Sequence, residues 1–438
     1  MRRLSRVLSL AVVAIAMLAF ATPAGAGHED DPRTDNLRPL GHIFEPASLF
    51  YGPPDVHTDI AFWGKIAVQG NWNGFNIRDI RKPRRPKTIS FTRCEGDQGD
   101  VSVYRNIVVR STNTPSAAGE TCDGVAEPEG YEGLDVFDIS NRRDPVWLAR
   151  VPLACGSHTH TLVRDEDENN RVLIYSSSSA HDDADPNPPA TCDWFDVVEI
   201  PLDDPASAHL LRTEPSDHTC HDIGVILGGV KMAACAGGEG MRVYSLGGRR
   251  GGTLENPRLL YHIEEEGVTI GHSAGFTWDG EVIIFGHEPG GGVEPRCQES
   301  DPDFEHTYFF YDSDDGDKVG EWTLPRKQSA TENCTLHNFN VVPLRPGRYV
   351  LVHGSYQSGT SVVNFSNPAA PREIAWSDPP PIDPIDLGGA WSSYWYNGRI
   401  YETNITEGLN IFRFTGRATR GARHVGHLNP QSQQFAIR

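Results

Sequence analysis

Several of the seventeen histidines in this 438-residue chain recur at related places. His57, His158, His221, His272 and His337 each stand at or near the head of a short apolar run, and His160 follows His158 by two residues. Alternation along an extended strand turns His158 and His160 to the same side. Neutral imidazole is the commonest nitrogen ligand, and a convergent set of three or four suits copper, zinc or iron. An open coordination position in such a set permits Lewis-acid or redox chemistry. Carboxylates accompany these runs: Asp59, Asp100 and Asp222 lie beside their heads, with Glu288 and Glu402 further along, and His287 and His353 close neighbouring runs. Such groups can orient ligating imidazoles from outside or serve as acid and base. A plainer reading stands beside this one. A structural residue recurs in every repeat, whereas a site needs only a few ligands. Each ring could simply bond the backbone of the next unit, and an Asp at a strand head commonly caps turn amides.

The elements that must position these residues are clearest between Thr219 and Leu246. Three apolar runs, Ile223 to Leu227, Val230 to Ala234 and Met241 to Leu246, are separated by glycine turns, with His221 in front. The pattern recurs about once per 40–65 residues, a period typical of propeller blades once insertions are allowed for. Seven units can be aligned, each reading as a four-stranded up-and-down sheet that cannot bury both faces alone. The expectation is an all-β chain: a seven-bladed β-propeller of four-stranded antiparallel blades. Its first strands would line a central channel, gathering the histidines near one mouth, with Gln98 and Trp391 at the corresponding places of the second and seventh units. The seventh unit has three clear strands. The run from Pro39 to Phe44 is expected to supply its fourth and close the ring, with Arg423 to Leu428 as the competitor.

The eight cysteines fit this register. Cys94, Cys155, Cys220 and Cys334 precede first strands. Cys122, Cys192 and Cys297 fall in second-to-third loops, and Cys235 ends a second strand at the same face. Of the many pairings that eight cysteines allow, the register favours Cys94–Cys122, Cys155–Cys192, Cys220–Cys235 and Cys297–Cys334.

The third strands share a signature. Gly133-Leu134-Asp135-Val136-Phe137-Asp138-Ile139-Ser140 is one copy and Gly240-Met241-Arg242-Val243-Tyr244-Ser245-Leu246 another. Gly408-Leu409-Asn410-Ile411-Phe412 and Ser361-Val362-Val363-Asn364-Phe365-Ser366-Asn367-Pro368 continue it. With the His-Asp or His-Asn pairs that begin several units, most of the chain after the leader resembles the LVIVD-repeat family of secreted bacterial β-propellers. That resemblance implies the fold; many members of the family have no assigned activity. More distantly the chain looks like the selenium-binding-protein and methanethiol-oxidase propellers, whose central channels are associated with histidine and copper, although no diagnostic motif of theirs is present.

Domain organisation and compartment follow from the ends and the composition. Residues 1–26 read as a signal peptide, with a basic start, an apolar run from Val7 to Phe20 and a small-residue cleavage site at Ala24-Gly25-Ala26. A flexible mature N-terminus (27–38), the propeller (39–416) and a C-terminal tail (417–438) would follow. No later segment is long and apolar enough to span a bilayer. A formal net charge of −20 opposes nucleic acid and anionic lipid as partners. A secreted, extracellular monomer with paired cysteines is expected. Two functions of different class remain open. The chain is either a binding module for an extracellular protein or small molecule on its disulfide-stapled, histidine-rich channel face, or a metal-dependent enzyme, an oxidoreductase among the candidates, with its centre in the channel. The aromatic run Trp391, Tyr394, Trp395 and Tyr396 could stack a ligand there or serve as ordinary strand aromatics.

Overall fold

The computed structural model describes residues 31–45, 56–168, 170–178, 192–216, 218–382 and 387–438. The expected signal peptide lies outside the described residues, as do residues 27–30. The chain forms a seven-bladed β-propeller of antiparallel, mainly four-stranded sheets. Blade 1 shows how each is built. Its strands are His57–Trp63, Ile66–Asn71, Gly74–Asp79 and Lys87–Arg93. The inner three are buried along nearly their whole length, because neighbouring blades cover both faces, whereas the outermost is half exposed. Gly64, at φ +60°, makes the tight turn between the first two strands, where an L side chain would be strained.

The first strands of blades 2 to 7 are Gln98–Tyr104, Thr159–Arg164, Ile223–Ile226, Gly271–Phe276, Phe339–Val341 and Ala390–Tyr396. These match the repeat units read from sequence, with boundaries moved by up to three residues. Neighbouring first strands pack side by side around the axis, blade 7 against blade 1 included.

Leu37–Phe44 closes the ring as the outermost strand of blade 7, antiparallel to Gly408–Phe414, with Leu37 opposite Phe414 and Phe44 opposite Gly408. The competing stretch from Arg423 to Leu428 does not take that place. Residues 32–36, expected to be flexible, run along blade 6 instead: Thr34 donates its amide to the Trp376 carbonyl at 3.0 Å, and the Asp378 amide donates to Pro32 O at 2.9 Å. Burial of Leu37 between blades 6 and 7 anchors this approach.

The C-terminal tail is laid into the ring. His427–Leu428 pairs antiparallel with the first strand of blade 1, and Ser432–Gln433 pairs in parallel with the first strand of blade 4. Its side chains satisfy inward-facing backbone. Asn429 accepts from Val103 N and donates to Val103 O, Ser432 donates to Leu162 O, and Gln433 donates to Phe276 O. Phe435 packs on Trp278 with ring centroids 5.0 Å apart. The tail thus crosses the end of the channel opposite the strand heads. A short, polar, glutamine-rich segment has no periodicity that would announce this from sequence.

All four expected disulfides form: Cys94–Cys122, Cys155–Cys192, Cys220–Cys235 and Cys297–Cys334. They tie loops at the face where the first strands begin. Four stapled loops on a rigid ring make that face suited to interaction.

Candidate metal centre

At that face the heads of blades 3 to 6 bring four imidazoles into an arc. Ring centroids are 4.5 Å apart for His158 and His221, 4.2 Å for His221 and His272, and 4.4 Å for His272 and His337. Backbone contacts between blades set these separations. His221 N donates to Ala236 O within blade 4, Asp222 N donates to His272 O in blade 5, and Thr159 Oγ1 of blade 3 donates to His221 O. Tyr308 OH donates to His337 O from blade 5.

Glu288 sits inside the arc. It follows the second strand of blade 5, Val282–His287, and its amide donates to Ile270 O at 3.0 Å. Its Oε2 lies 3.8 Å from His221 Nε2 and 3.7 Å from His272 Nε2, and its Oε1 lies 3.4 Å from His337 Nε2. Tyr356 OH donates to Oε1 at 2.8 Å. Gly292, at φ +72°, permits that bond, since a Cβ there would come within 2.5 Å of Tyr356 Oη and 2.7 Å of Glu288 Oε1.

The far ring nitrogens fix the tautomers. His337 Nδ1 donates to Trp391 O at 2.5 Å, and His221 Nδ1 donates to Asp222 Oδ1 at 3.2 Å. Each leaves an Nε2 lone pair facing Glu288. His272 Nδ1 is buried with no partner among the described residues. The Nε2 atoms of His221, His272 and His337 all face the Glu288 carboxylate. Ligands held about 2.0–2.2 Å from one ion in a tetrahedral array sit roughly 3.3–3.6 Å from one another. The oxygen-to-nitrogen distances of 3.4–3.8 Å come near that edge, and the ligand atoms of His272, Glu288 and His337 lie within 4.8 Å of one another, as do those of His221, Asp222 and His272. Imidazoles and carboxylates in two overlapping groups that share His272 form a donor set suited to a transition-metal ion, with His158 extending the arc by one ring.

Electrostatics keep the rings of His337, His272 and His158 neutral and set His221 apart. Burial pushes the His337 imidazole down to about 4. Burial, followed by the neighbouring imidazoles, holds His272 and His158 well below the ordinary value. For His221 burial also opposes the charge, but the bond to Asp222 and the nearby Glu288 outweigh it and raise the ring. Burial raises Glu288 as well, against the pull of His221 and Tyr356. One wall of the cup is apolar: Tyr356 lies 4.4 Å and Trp391 4.9 Å from the His337 ring, backed by Val56 and Ile405, with Trp72 and Leu387 packed alongside.

Other candidate residues from the sequence are engaged elsewhere. His57 Nε2 meets Glu45 O at 2.9 Å, and His160 is held between Ser102 and Ser111 hydroxyls, both at 2.8 Å. His353 bonds Ser355 and lies edge-on to Tyr308 and Trp322, while His287 stacks beside Phe304. Glu402 accepts from Thr360 and Asn410. Asp59 and Asp100 each accept the next backbone amide. Asp59 also receives Tyr394 OH and Asn338 Nδ2, and Asp100 receives His160 N. Burial pushes Asp59 up to about 7 and raises Asp100 well above the carboxylate range, the latter aided by Asp59. Glu288, expected as an outer partner, stands among the imidazoles. Tyr356 and Gly292 carried no readable signal, because a loop hydrogen bond has no periodicity.

Comparison with known proteins adds the fold alone. No family model matches the chain, and no curated protein matches it. Among solved structures, the Myceliophteria thermophila Cps50 (Swd1) beta-propeller domain superposes with a TM-score of 0.53 at 10% identity, over 88% of this chain and 100% of that one. The WD40 beta propeller domain of Doa1 gives 0.48 at 8% identity over 88% and 99%. Among the described residues no helix is long and apolar enough to cross a membrane.

Proposed function

We propose that this protein is an exported, disulfide-stapled β-propeller that binds one divalent transition-metal ion through His221, His272, His337 and Glu288, and that it acts as a metal-dependent enzyme on a small ligand entering from the disulfide face. The convergence of three Nε2 atoms on one buried carboxylate carries this reading. The ion would supply Lewis-acid or one-electron chemistry. The chain's own residues do the rest. Asp222 and the Trp391 carbonyl hold His221 and His337 in their ligating tautomers, Tyr356 orients Glu288, and Trp391 and Tyr356 offer an apolar wall to the ligand. His158 stands beside His221 as a neutral ring that extends the row of imidazoles by one. The leader and the four disulfides support export to an oxidising compartment.

Visible-range titration with Co2+ tests the centre. Wild-type protein is expected to saturate at one equivalent, with the absorption of a nitrogen- and oxygen-ligated ion. The His221→Ala/His272→Ala protein, folded by circular dichroism, is expected to lose it. Equal spectra for the two proteins would exclude the centre. The stapled face also supports a second reading, a binding module for an extracellular partner, because its loops are pinned to a rigid ring. That reading predicts ligand binding unchanged by chelators.

A further inference from the structure

The tail reaches the candidate centre from below at one point. Gln431 Nε2 donates to Asp222 Oδ2 at 2.9 Å, Asp222 Oδ1 accepts from His221 Nδ1 at 3.2 Å, and His221 Nε2 faces Glu288 at 3.8 Å. Three groups from two distant parts of the chain therefore form one line into the cluster. Both oxygens of Asp222 are spoken for, one by the tail and one by the ring, so the carboxylate cannot turn without releasing one of them. Gln431 is itself clamped. Its carbonyl accepts Val225 N at 2.7 Å, two residues before Leu227 N bonds Gln433 O at 2.9 Å. Its backbone sits at φ +52°, an uncommon conformation for glutamine that the flanking bonds hold in place. Residues on either side are fixed to blades 2, 3 and 5 through Asn429, Ser432 and Gln433.

We infer that Gln431 is a positioning residue for the metal centre: the C-terminal segment, by fixing Asp222, fixes the tautomer and aim of His221. This rests on the metal-centre reading above and extends it to a residue outside the blades. A ligating imidazole whose far nitrogen is held by a carboxylate gains basicity and a set orientation. Loss of such an outer partner typically costs about 10–100-fold in metal affinity. A segment that merely filled the channel would have no such effect. Its loss would lower stability and leave the ligand geometry alone.

The two roles separate on full-length mature protein titrated with Cu2+ and followed by electron paramagnetic resonance, with thermal melts as the stability readout. Gln431→Met keeps length and removes the donor; Gln431→Asn keeps the amide but withdraws it by one methylene. Ser432→Ala removes the neighbouring anchor to Leu162 while leaving the bond to Asp222. Both Gln431 variants are expected to weaken Cu2+ binding, by at most the roughly 10–100-fold that loss of a direct outer partner costs, and to change the nitrogen hyperfine pattern. Ser432→Ala is expected to lower the melting temperature with the wild-type spectrum retained. Wild-type binding with Gln431 variants that match Ser432→Ala in affinity and spectrum would overturn the positioning role and leave the metal centre standing. No Cu2+ binding by wild-type protein would overturn both. If Gln431→Met does not fold, Gln431→Asn decides by the same comparison.

Discussion

Two arcs of the channel mouth occupy equivalent places in the repeat and have opposite character. Across blades 3 to 6 the strand heads present His158, His221, His272 and His337 as a continuous row of rings. Across blades 7, 1 and 2 the corresponding residues are Trp391, His57 and Gln98. Trp391 lends its carbonyl to His337, and His57 is bonded through Nε2 to Glu45 O. Repetition placed a histidine in both arcs, but partners decide what each ring can do. His57, with its Nε2 already bonded, is structural, whereas His221, His272 and His337 turn Nε2 toward the Glu288 carboxylate.

The largest effect that would break this contrast is on metal affinity. Replacing His272 by Ala is expected to weaken binding by more than about 100-fold, beyond the loss typical of outer partners. His57→Ala is expected to leave affinity unchanged and lower the melting temperature. Calorimetric metal titration checks both, and a similar loss in both variants would erase the distinction between the arcs.

Disulfides sharpen it next. Each bridge stabilises the fold by roughly 2–4 kcal/mol where geometry is relaxed. Cys220→Ser/Cys235→Ser should cost that stability and also metal affinity, because Cys220 adjoins His221. Cys94→Ser/Cys122→Ser, in the other arc, should cost stability only. Denaturant unfolding run beside metal titration separates the two.

Acid sensitivity follows from the structural rings. Burial holds His57 at about 4 and His160 and His353 at about 3. The unfolded chain takes up these protons near pH 6.5 and the folded chain does not, so stability present above pH 6.5 is lost as pH falls toward 3–4. His160→Gln, which keeps polar contact with Ser102 and Ser111, is expected to reduce that loss in melts between pH 7 and pH 4. Asp59 acts in the opposite sense and more weakly overall. With its carboxyl raised to about 7 by burial, its contribution is full below pH 4 and is lost as pH rises through 7. Asp59→Asn should flatten that part of the melting profile, and an unchanged slope would contradict the burial of this group as an acid.

The fold was legible because a propeller repeats. Apolar runs of period two, glycine turns and cysteines at one face carry the same message seven times, enough to place Leu37–Phe44 in blade 7 and to pair every cysteine. The candidate site was legible only in part, for the same reason. Repetition marked His158, His221, His272 and His337, but it marked His57 equally and counted His160 with them. Only the hydrogen bonds to Glu45, Ser102 and Ser111 separate them. Tyr356 and Gln431 lie in single-copy segments, where no second occurrence could flag them, and Glu288 was marked only as a companion carboxylate. Their contacts span 68 residues from Tyr356 to Glu288 and 209 from Gln431 to Asp222, distances over which sequence spacing carries no geometric information.

Elemental analysis of the full-length protein, purified from its native compartment without chelators, tests the central claim most directly. A metal centre at His221, His272, His337 and Glu288 predicts about one equivalent of a single transition metal per chain in the wild type, and none in the folded His221→Ala/His272→Ala protein. A wild-type protein that carries no metal and takes up none on incubation with Cu2+, Zn2+ or Fe2+ would contradict it.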